Sequence, residues 1–320
     1  MTRLVYILAA SHSGSTLLSM LLGAHPEVCT VGELKLPAAA MGDLDRYRCS
    51  CGQKVLECAF WQRVREHMAH KGIDFDLANA RTDFRQSKSR YAKRLLGPLI
   101  RNRLLERARD AALWVSPTWR KELAEIQNRN TELVSSVLDV LGKGVIVDSS
   151  KLAHRLKFLL RNPLLHIRVV HLIRDGRGVA LTYMDPENFA DARDPAFRGT
   201  GESPRMSMDE AARAWRRSGE EAERILARME RSRWLRLRYE DVCADPERQM
   251  ARVLRFIEVD PGGGTLDFRS VEHHVIGNGM RLDSSSVIEL DERWRSELSA
   301  EQLAEFDRVA GDTNRKLGYE

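Results

Sequence analysis

The chain has 320 residues, 43% apolar and 30% charged, with a net charge of +5. This is enough for one large domain or two small ones around a buried core, and the composition excludes a disordered or fibrous protein. No run reaches the roughly 18 apolar residues of a membrane-spanning helix; the apolar run at 4–10 is too short for a signal-peptide core and lacks a cleavage site, so a cytoplasmic location is expected. The charge is uneven: between positions 81 and 109, ten Lys and Arg stand against Asp83 and Glu106. Such a run is either a solvated helical face or a surface that attracts an anionic substrate or membrane.

Residues 4–10, LVYILAA, read as a fully buried strand. SHSGSTLLSMLLGAHP follows as a turn and a helix, with Leu17, Leu18, Leu21 and Leu22 at helical spacing and Pro26 as the stop. VCTVGEL is a short second strand ending at Glu33. From about 60 to 142 the pattern is mostly helical: one helix over WQRVREHMAHKG, two in 77–110 split near Gly97 and Pro98, and a long amphipathic one from TWRKEL to Gly142. No composition break marks an independent domain. The expectation is one domain over 1–320, with a helical, basic insertion at about 65–142.

GVIVDSSK predicts a strand at 144–147 and a helix from about 152. HIRVVHLIRDGRGVALTY predicts a strand at 167–173, a tight polar turn and a helix from about 176. A loop at 185–207, a helix at 207–231, the strand WLRLRYE and the helix PERQMARVLRFI come next. The tail has the loop HHVIGNGMRLDSSS and a last amphipathic helix at about 299–317. Strands alternating with helices imply an α/β fold, a central parallel sheet flanked by helices on both faces.

Three of five cysteines cluster in CSCGQKVLEC. Cys49, Cys51 and Cys58 could supply three metal ligands, with Cys29 or His67 as a fourth, although the spacing differs from the common CxxC zinc patterns. A local disulfide and free thiols are the alternatives, and a reducing cytoplasm weighs against the disulfide.

The first strand, turn and helix form an anion site. The first helical N–H groups are unpaired and the helix dipole adds partial positive charge there. Ser11, Ser13, Gly14, Ser15 and Thr16 suit a backbone that a phosphate must approach closely. In the Walker register, GxxxxGK[ST], residues 9–16 read AxxxxGST, so Ser15 stands where the lysine should be. That lysine and Mg²⁺ serve the β- and γ-phosphates of a triphosphate. Their loss argues against ATP or GTP and for a smaller anion. A turn that is merely rich in serine is the plain alternative. Arg174 ends a predicted strand and Thr182 follows eight residues on. An Arg fork and a hydroxyl could hold a second phosphate; a structural Arg174–Asp175 pair is the alternative.

These residues resemble those of the PAPS-dependent sulfotransferases, which adopt a P-loop-like fold. PAPS, 3′-phosphoadenosine 5′-phosphosulfate, carries one phosphosulfate and one separate 3′-phosphate. HSGSTLL at 12–18 is similar to the family loop that binds the 5′-phosphosulfate. Arg174 and Thr182 match the 3′-phosphate motif, with Thr for Ser. RYEDV resembles the segment whose tyrosine, here Tyr239, lies near the adenine. IGNGMR is similar to a bacterial loop that closes over the nucleotide near the 3′-phosphate, which makes Gly277, Asn278 and Arg281 candidates. CSCG and ECAFW also resemble bacterial members. The resemblance covers the chain except roughly 65–142.

It implies sulfuryl transfer from PAPS, releasing PAP, to an acceptor hydroxyl or amine on a glycan, lipid, peptide or small natural product. It implies no nucleic-acid partner, and the chemistry demands no metal. GAHPEVCTVGEL resembles the tyrosylprotein-type branch, which makes Glu33 the expected base and His154 the second choice. Lys151 is the expected electrostatic stabiliser, and Asp148 is expected to cap the following helix. His12 departs from the family, which has Lys or Arg there. Beside a phosphosulfate its pKa should rise, so that the cation steadies the leaving phosphate and activity falls at high pH. The alternatives are a P-loop kinase of a nucleotide or small molecule, with Asp148 as its Walker B acid, and a PAP- or PAPS-binding protein without catalysis. The basic insertion is expected to build part of the acceptor site.

Overall fold

The computed structural model describes residues 2–35, 44–100, 102–186 and 205–320. In chain order the elements are β1 (Thr2–Ala9), α1 (Ser15–Gly23), β2 (Val28–Thr30), α2 (Ala59–His70), α3 (Arg90–Leu95), α4 (Arg103–Val115), α5 (Pro117–Leu141) and β3 (Val145–Lys151). Then come α6 (Ala153–Leu159), β4 (Leu165–Ile173), α7 (Gly176–Met184), α8 (Met208–Leu226), β5 (Trp234–Arg238), α9 (Tyr239–Ala244) and α10 (Pro246–Phe256). The tail holds α11 (Trp294–Glu297), α12 (Ala300–Phe306), a π-helical turn and α13 (Asp312–Lys316).

The five strands form a parallel sheet in the order β2-β3-β1-β4-β5. β1 is central and its side chains alternate between two cores, as a strand's period of two requires. Leu4, Tyr6 and Leu8 face a core shared with α2, α5 and α6. Val5, Ile7 and Ala9 face a second core with α1 and α10. Both faces are therefore apolar, which is why LVYILAA has no polar alternation. The result is a three-layer α/β fold of P-loop-like form. A third cluster joins α7, α8 and the tail helices.

The expected helices at 60–142 form, and the split near Gly97 and Pro98 separates α3 from α4. Leu133, Val134 and Val137 of α5 and Phe60, Trp61 and Val64 of α2 enter the same core as β1. Two of the boundaries that differ from expectation lie at the site. β3 runs on through the polar residues to Lys151, because that polar stretch continues the β1 ladder. β2 stops at Thr30, and Gly32 bridges Ile276 instead. Most of the predicted loop 185–207 lies outside the described residues.

Candidate active site

β3 and β4 lie on opposite sides of β1, so the crevice beyond its carboxyl end is the switch point at which such sheets bind ligands. Every strand delivers a sequence-predicted residue to that edge. β1 leads into the turn at 10–14, β3 ends at Lys151, β4 precedes Arg174, β5 precedes Tyr239, and the segment after β2 carries Glu33.

The turn after β1 is tightly shaped. Gly14 has φ 82°, and a Cβ there would meet Tyr239 Cδ2 at 2.4 Å, so only glycine fits beneath the ring. Gly14 accepts the first helical bond, from Leu18 N–H at 3.0 Å, which leaves the N–H groups of Ser15, Thr16 and Leu17 without helical acceptors. Ser13 is buried, and its Oγ has no hydrogen-bond partner among the described residues. A buried orphan hydroxyl beside unpaired N–H groups suits an anion. Ser15 and Thr16 are buried at the start of α1. Ser11 and half-buried His12 lie against Tyr183, with the His12 and Tyr183 rings edge to face at 5.5 Å. His12 has φ 61°, a left-handed conformation that costs a non-glycine residue about 1–2 kcal/mol.

Arg174 converges on the same turn. One guanidinium nitrogen donates to the His12 carbonyl at 2.8 Å, and another reaches the Asp291 carboxylate at 3.0 Å. Its Cζ lies 4.6 Å from the Tyr239 ring centroid. Burial works to raise the Asp291 pKa, but hydrogen bonds from Arg293 and the charge of Arg174 outweigh it and hold this carboxyl well below the usual range. A polar cavity of about 290 Å³ beside Arg174 is lined by Arg177, Arg238, Asp291 and Trp294 among others. Asp175 pairs with Arg177, not with Arg174. Thr182 lies in α7, as its spacing from Arg174 predicts. It is buried two turns into α7 and its hydroxyl donates to the Gly178 carbonyl at 3.2 Å, the common i−4 bond of a helical threonine.

Glu33 and Lys151 form an ion pair, and Lys35 holds the other carboxylate oxygen at 2.8 Å. The pair depends on an irregularity in β3. Tyr6 opposes Asp148, but Leu8 opposes Lys151, so β3 carries one extra residue. Lys151 completes that bulge with φ 68°. Burial works to raise the Glu33 pKa, yet the charges of Lys151 and then Lys35 lower it to about 2. Asp148 does not cap α6, whose N-cap is Leu152. It is fully buried, receives Arg155 at 3.1 Å, and accepts the N–H of Leu34 at 3.2 Å, thereby fixing the turn that carries Glu33. Arg155 in turn reaches the Thr82 carbonyl and Asn130, and Thr82 donates to the Lys35 carbonyl. The helical segment 65–142 is thus tied directly to the Glu33 turn.

The loop at 277–281 stands on the Glu33 side. A Cβ on Gly277 would lie 3.3 Å from Glu33 Cγ, and Glu33 N–H donates to the Ile276 carbonyl at 3.2 Å. Asn278 caps the short helical turn that follows. Arg281 is 1% exposed, and its guanidinium donates to the Gly277 and Arg48 carbonyls beneath the Tyr47 ring. It braces the loop from inside. His154 is buried, and desolvation followed by the charges of Lys157 and Arg109 lowers its pKa to about 4. Neither ring nitrogen has a hydrogen-bond partner among the described residues, and the ring packs on Phe158. Sequence reasoning missed Lys35 and Asp291. Lys35 lies two residues beyond Glu33, a spacing that could have drawn attention; Asp291 carries no such signal.

The cysteine cluster also forms, with a different fourth member. Cys49, Cys51 and Cys58 gather around His274, and neither Cys29 nor His67 joins them.

The parallel sheet, the glycine-tight turn after β1 and the neighbouring Arg174 define an α/β protein with a candidate site at the carboxyl edge of its sheet. The model of the sulfotransferase family matches residues 5–261, and the chain belongs to that family. It is a transferase whose family chemistry is sulfuryl transfer. No curated protein matches the chain. Among solved structures, the sulfotransferase domain of the Synechococcus PCC 7002 olefin synthase is 16% identical, with TM-score 0.48 over 100% of this chain and 95% of that one. The sulfotransferase domain from the curacin biosynthetic pathway gives 16% and 0.48, over 100% and 99%. A sulfotransferase from Mycobacterium avium gives 12% and 0.49, over 100% and 78%. Among the described residues, no helix is long and apolar enough to cross a membrane.

Proposed function

We propose that this sulfotransferase uses PAPS as donor and transfers its sulfuryl group to a hydroxyl or amine, with Glu33 as base. The observation that carries this reading is the register of β1 with β3. It sets Lys151 opposite Leu8, next to the anion turn, where it pairs with the Glu33 carboxylate. The turn at 11–16 holds the 5′-phosphosulfate through backbone N–H groups and the Ser13 hydroxyl. Arg174 exchanges Asp291 for the 3′-phosphate, and Tyr239 flanks the nucleotide. Gly277 and Asn278 border the acceptor side, while Thr182 and Arg281 shape the site from within.

The acceptor oxygen or nitrogen forms a bond to sulfur as the bond from sulfur to the bridging oxygen breaks. The acceptor proton passes to Glu33 and PAP leaves with the electron pair. Lys151 turns from Glu33 to the sulfuryl oxygens as the donor binds, which raises the basicity of Glu33 as the proton needs a home. His12, in place of the usual Lys or Arg, supports the leaving phosphate. The insertion forms the acceptor wall, since Thr82 and Asn130 already brace the Glu33 turn through Lys35 and Arg155. The ion pair of Asp148 with Arg155 weighs against a kinase, whose Walker B acid must turn to Mg²⁺.

The test is incubation with isotopically labelled PAPS and a panel of alcohols, phenols, amines and glycans. A gain of one labelled SO₃ unit on an acceptor supports the reading. Transfer of phosphate from ATP instead makes the protein a kinase. Tight PAP binding without transfer to any acceptor favours a binding protein.

A further inference from the structure

We propose that Cys49, Cys51, Cys58 and His274 bind one structural Zn²⁺ ion that clamps the two loops behind Glu33. Cys51 Sγ lies 3.7 Å from Cys58 Sγ. His274 Nδ1 lies 3.6 Å from Cys58 Sγ and 3.8 Å from Cys49 Sγ. All four ligand atoms fall within 4.8 Å of one another. Zinc–sulfur bonds of about 2.3 Å and zinc–nitrogen bonds of about 2.1 Å give a tetrahedron with edges of about 3.8 Å between sulfurs and about 3.6 Å from sulfur to nitrogen. The three short separations match those edges.

The local chain is built to present the ligands. A turn at Gly52, φ 85°, is closed by bonds between Cys49 and both Gln53 and Gly52, and it directs the first two sulfurs to one side. Cys58 is the N-cap residue of α2, where the helix dipole favours a thiolate. His274 arrives from a loop 216 residues away in sequence. Its ring stacks on Phe60 at 4.3 Å, and its Nε2 faces the Glu272 carboxylate at 3.5 Å. A carboxylate on the far nitrogen orients a histidine with Nδ1 free to ligate. Cys49 and Cys58 are fully buried and His274 is nearly so. A disulfide within the cluster would leave an odd buried thiol and no partner for the aimed imidazole. Three thiolates and one imidazole in a tetrahedron are a donor set of structural zinc sites.

Four protein ligands close the coordination shell, so the ion takes no part in transfer. Its role is positional. It ties the Tyr47–Cys58 stretch to the 273–281 loop, which Tyr47 and Ser50 also bond. That loop carries the Ile276 carbonyl that receives Glu33 N–H.

Elemental analysis of wild-type protein purified under reducing conditions decides the matter, and it is independent of the donor and acceptor. One zinc per chain is expected, released by an organomercurial that titrates thiolates. Exchange into Co²⁺ should give the thiolate charge-transfer absorption of a tetrahedral site. Cys58→Ser and His274→Ala should each reduce zinc to near none, and His274→Cys should retain it. Wild-type protein that carries no zinc, or another metal in its place, overturns the proposal. So does native protein in which Cys49, Cys51 and Cys58 alkylate readily or two of them form a disulfide. If the variants fail to fold, the wild-type metal content and cobalt spectrum still give the answer.

Discussion

Glu33 and Lys151 stand 118 residues apart in sequence and meet as an ion pair across the carboxyl ends of neighbouring strands. β2 pairs with β3 from Val28 opposite Val145 to Thr30 opposite Val147, which brings the two ends together. The bulge after Asp148 then aims Lys151 at the carboxylate. A Glu held at about 2 is ionised at neutral pH but weakly basic. Its use as a base therefore requires that its lysine partners be drawn elsewhere, and a bound sulfuryl group is a suitable attractor.

Glu33→Gln should reduce kcat by about 10²- to 10⁴-fold, the range for loss of a general base. Binding of PAP, measured by calorimetry, should change little. A variant that turns over at the wild-type rate removes Glu33 from the mechanism and leaves His154 as the next candidate.

Lys151→Met should move the acid limb of the kcat/KM profile to higher pH. Removal of the nearest cation lets burial raise the Glu33 pKa, although Lys35 remains as a partial counterweight. The stability sign follows from the same shift. The folded value lies below the unfolded 4.5, so the stabilisation is full above 4.5 and is lost as pH falls towards 2. The wild type should therefore lose more thermal stability than the variant across that acid window. Parallel loss in both proteins would show that the pair does not govern Glu33.

Arg174→Lys should raise the KM for PAPS by about 10- to 100-fold, since a point charge replaces a fork bonded to charged oxygens. Activity with unchanged KM would mean that Arg174 serves only the turn, through the His12 carbonyl.

Gly14→Ala should weaken donor binding and lower the melting temperature. The new Cβ strikes Tyr239 at 2.4 Å, and the left-handed φ adds about 1–2 kcal/mol of strain. The companion change Tyr239→Ala relieves the clash but not the strain, so the double variant should regain only part of the stability. Full recovery would locate the whole effect in the ring contact.

His12→Ala should reduce kcat by about 10-fold or more, the loss of one charge-assisted hydrogen bond. His12→Lys should retain activity and abolish the decline at high pH. An alanine variant with full turnover would falsify the role assigned to this histidine.

Much of this site was legible before folding, because it rests on local chemistry. The turn at 11–16 is a strand end, small residues and a helix start in direct succession, and Gly14 supplies the positive φ of that turn. Arg174 stands two residues before a helix in a strand-end pattern. The alternation of β1 between two cores was hidden, since a strand buried on both faces shows no period of two. The extension of β3 to Lys151 was hidden too, because the ladder with β1, not propensity, holds VDSSK extended.

The sequence by itself determined the order of strands and helices, the small-residue turn without the Walker lysine, and the three clustered cysteines, all set within short windows by spacing and side-chain type. Only the tertiary structure decided which distant groups meet. It set Lys151 and Lys35 on Glu33, Asp291 on Arg174, Arg281 beneath its own loop, and His274 on the cysteines in place of Cys29 or His67. The physical reason is that these contacts follow from sheet order and from loops that cross it. A charge or imidazole 118 or 216 residues away leaves no periodic trace at the residue it will touch.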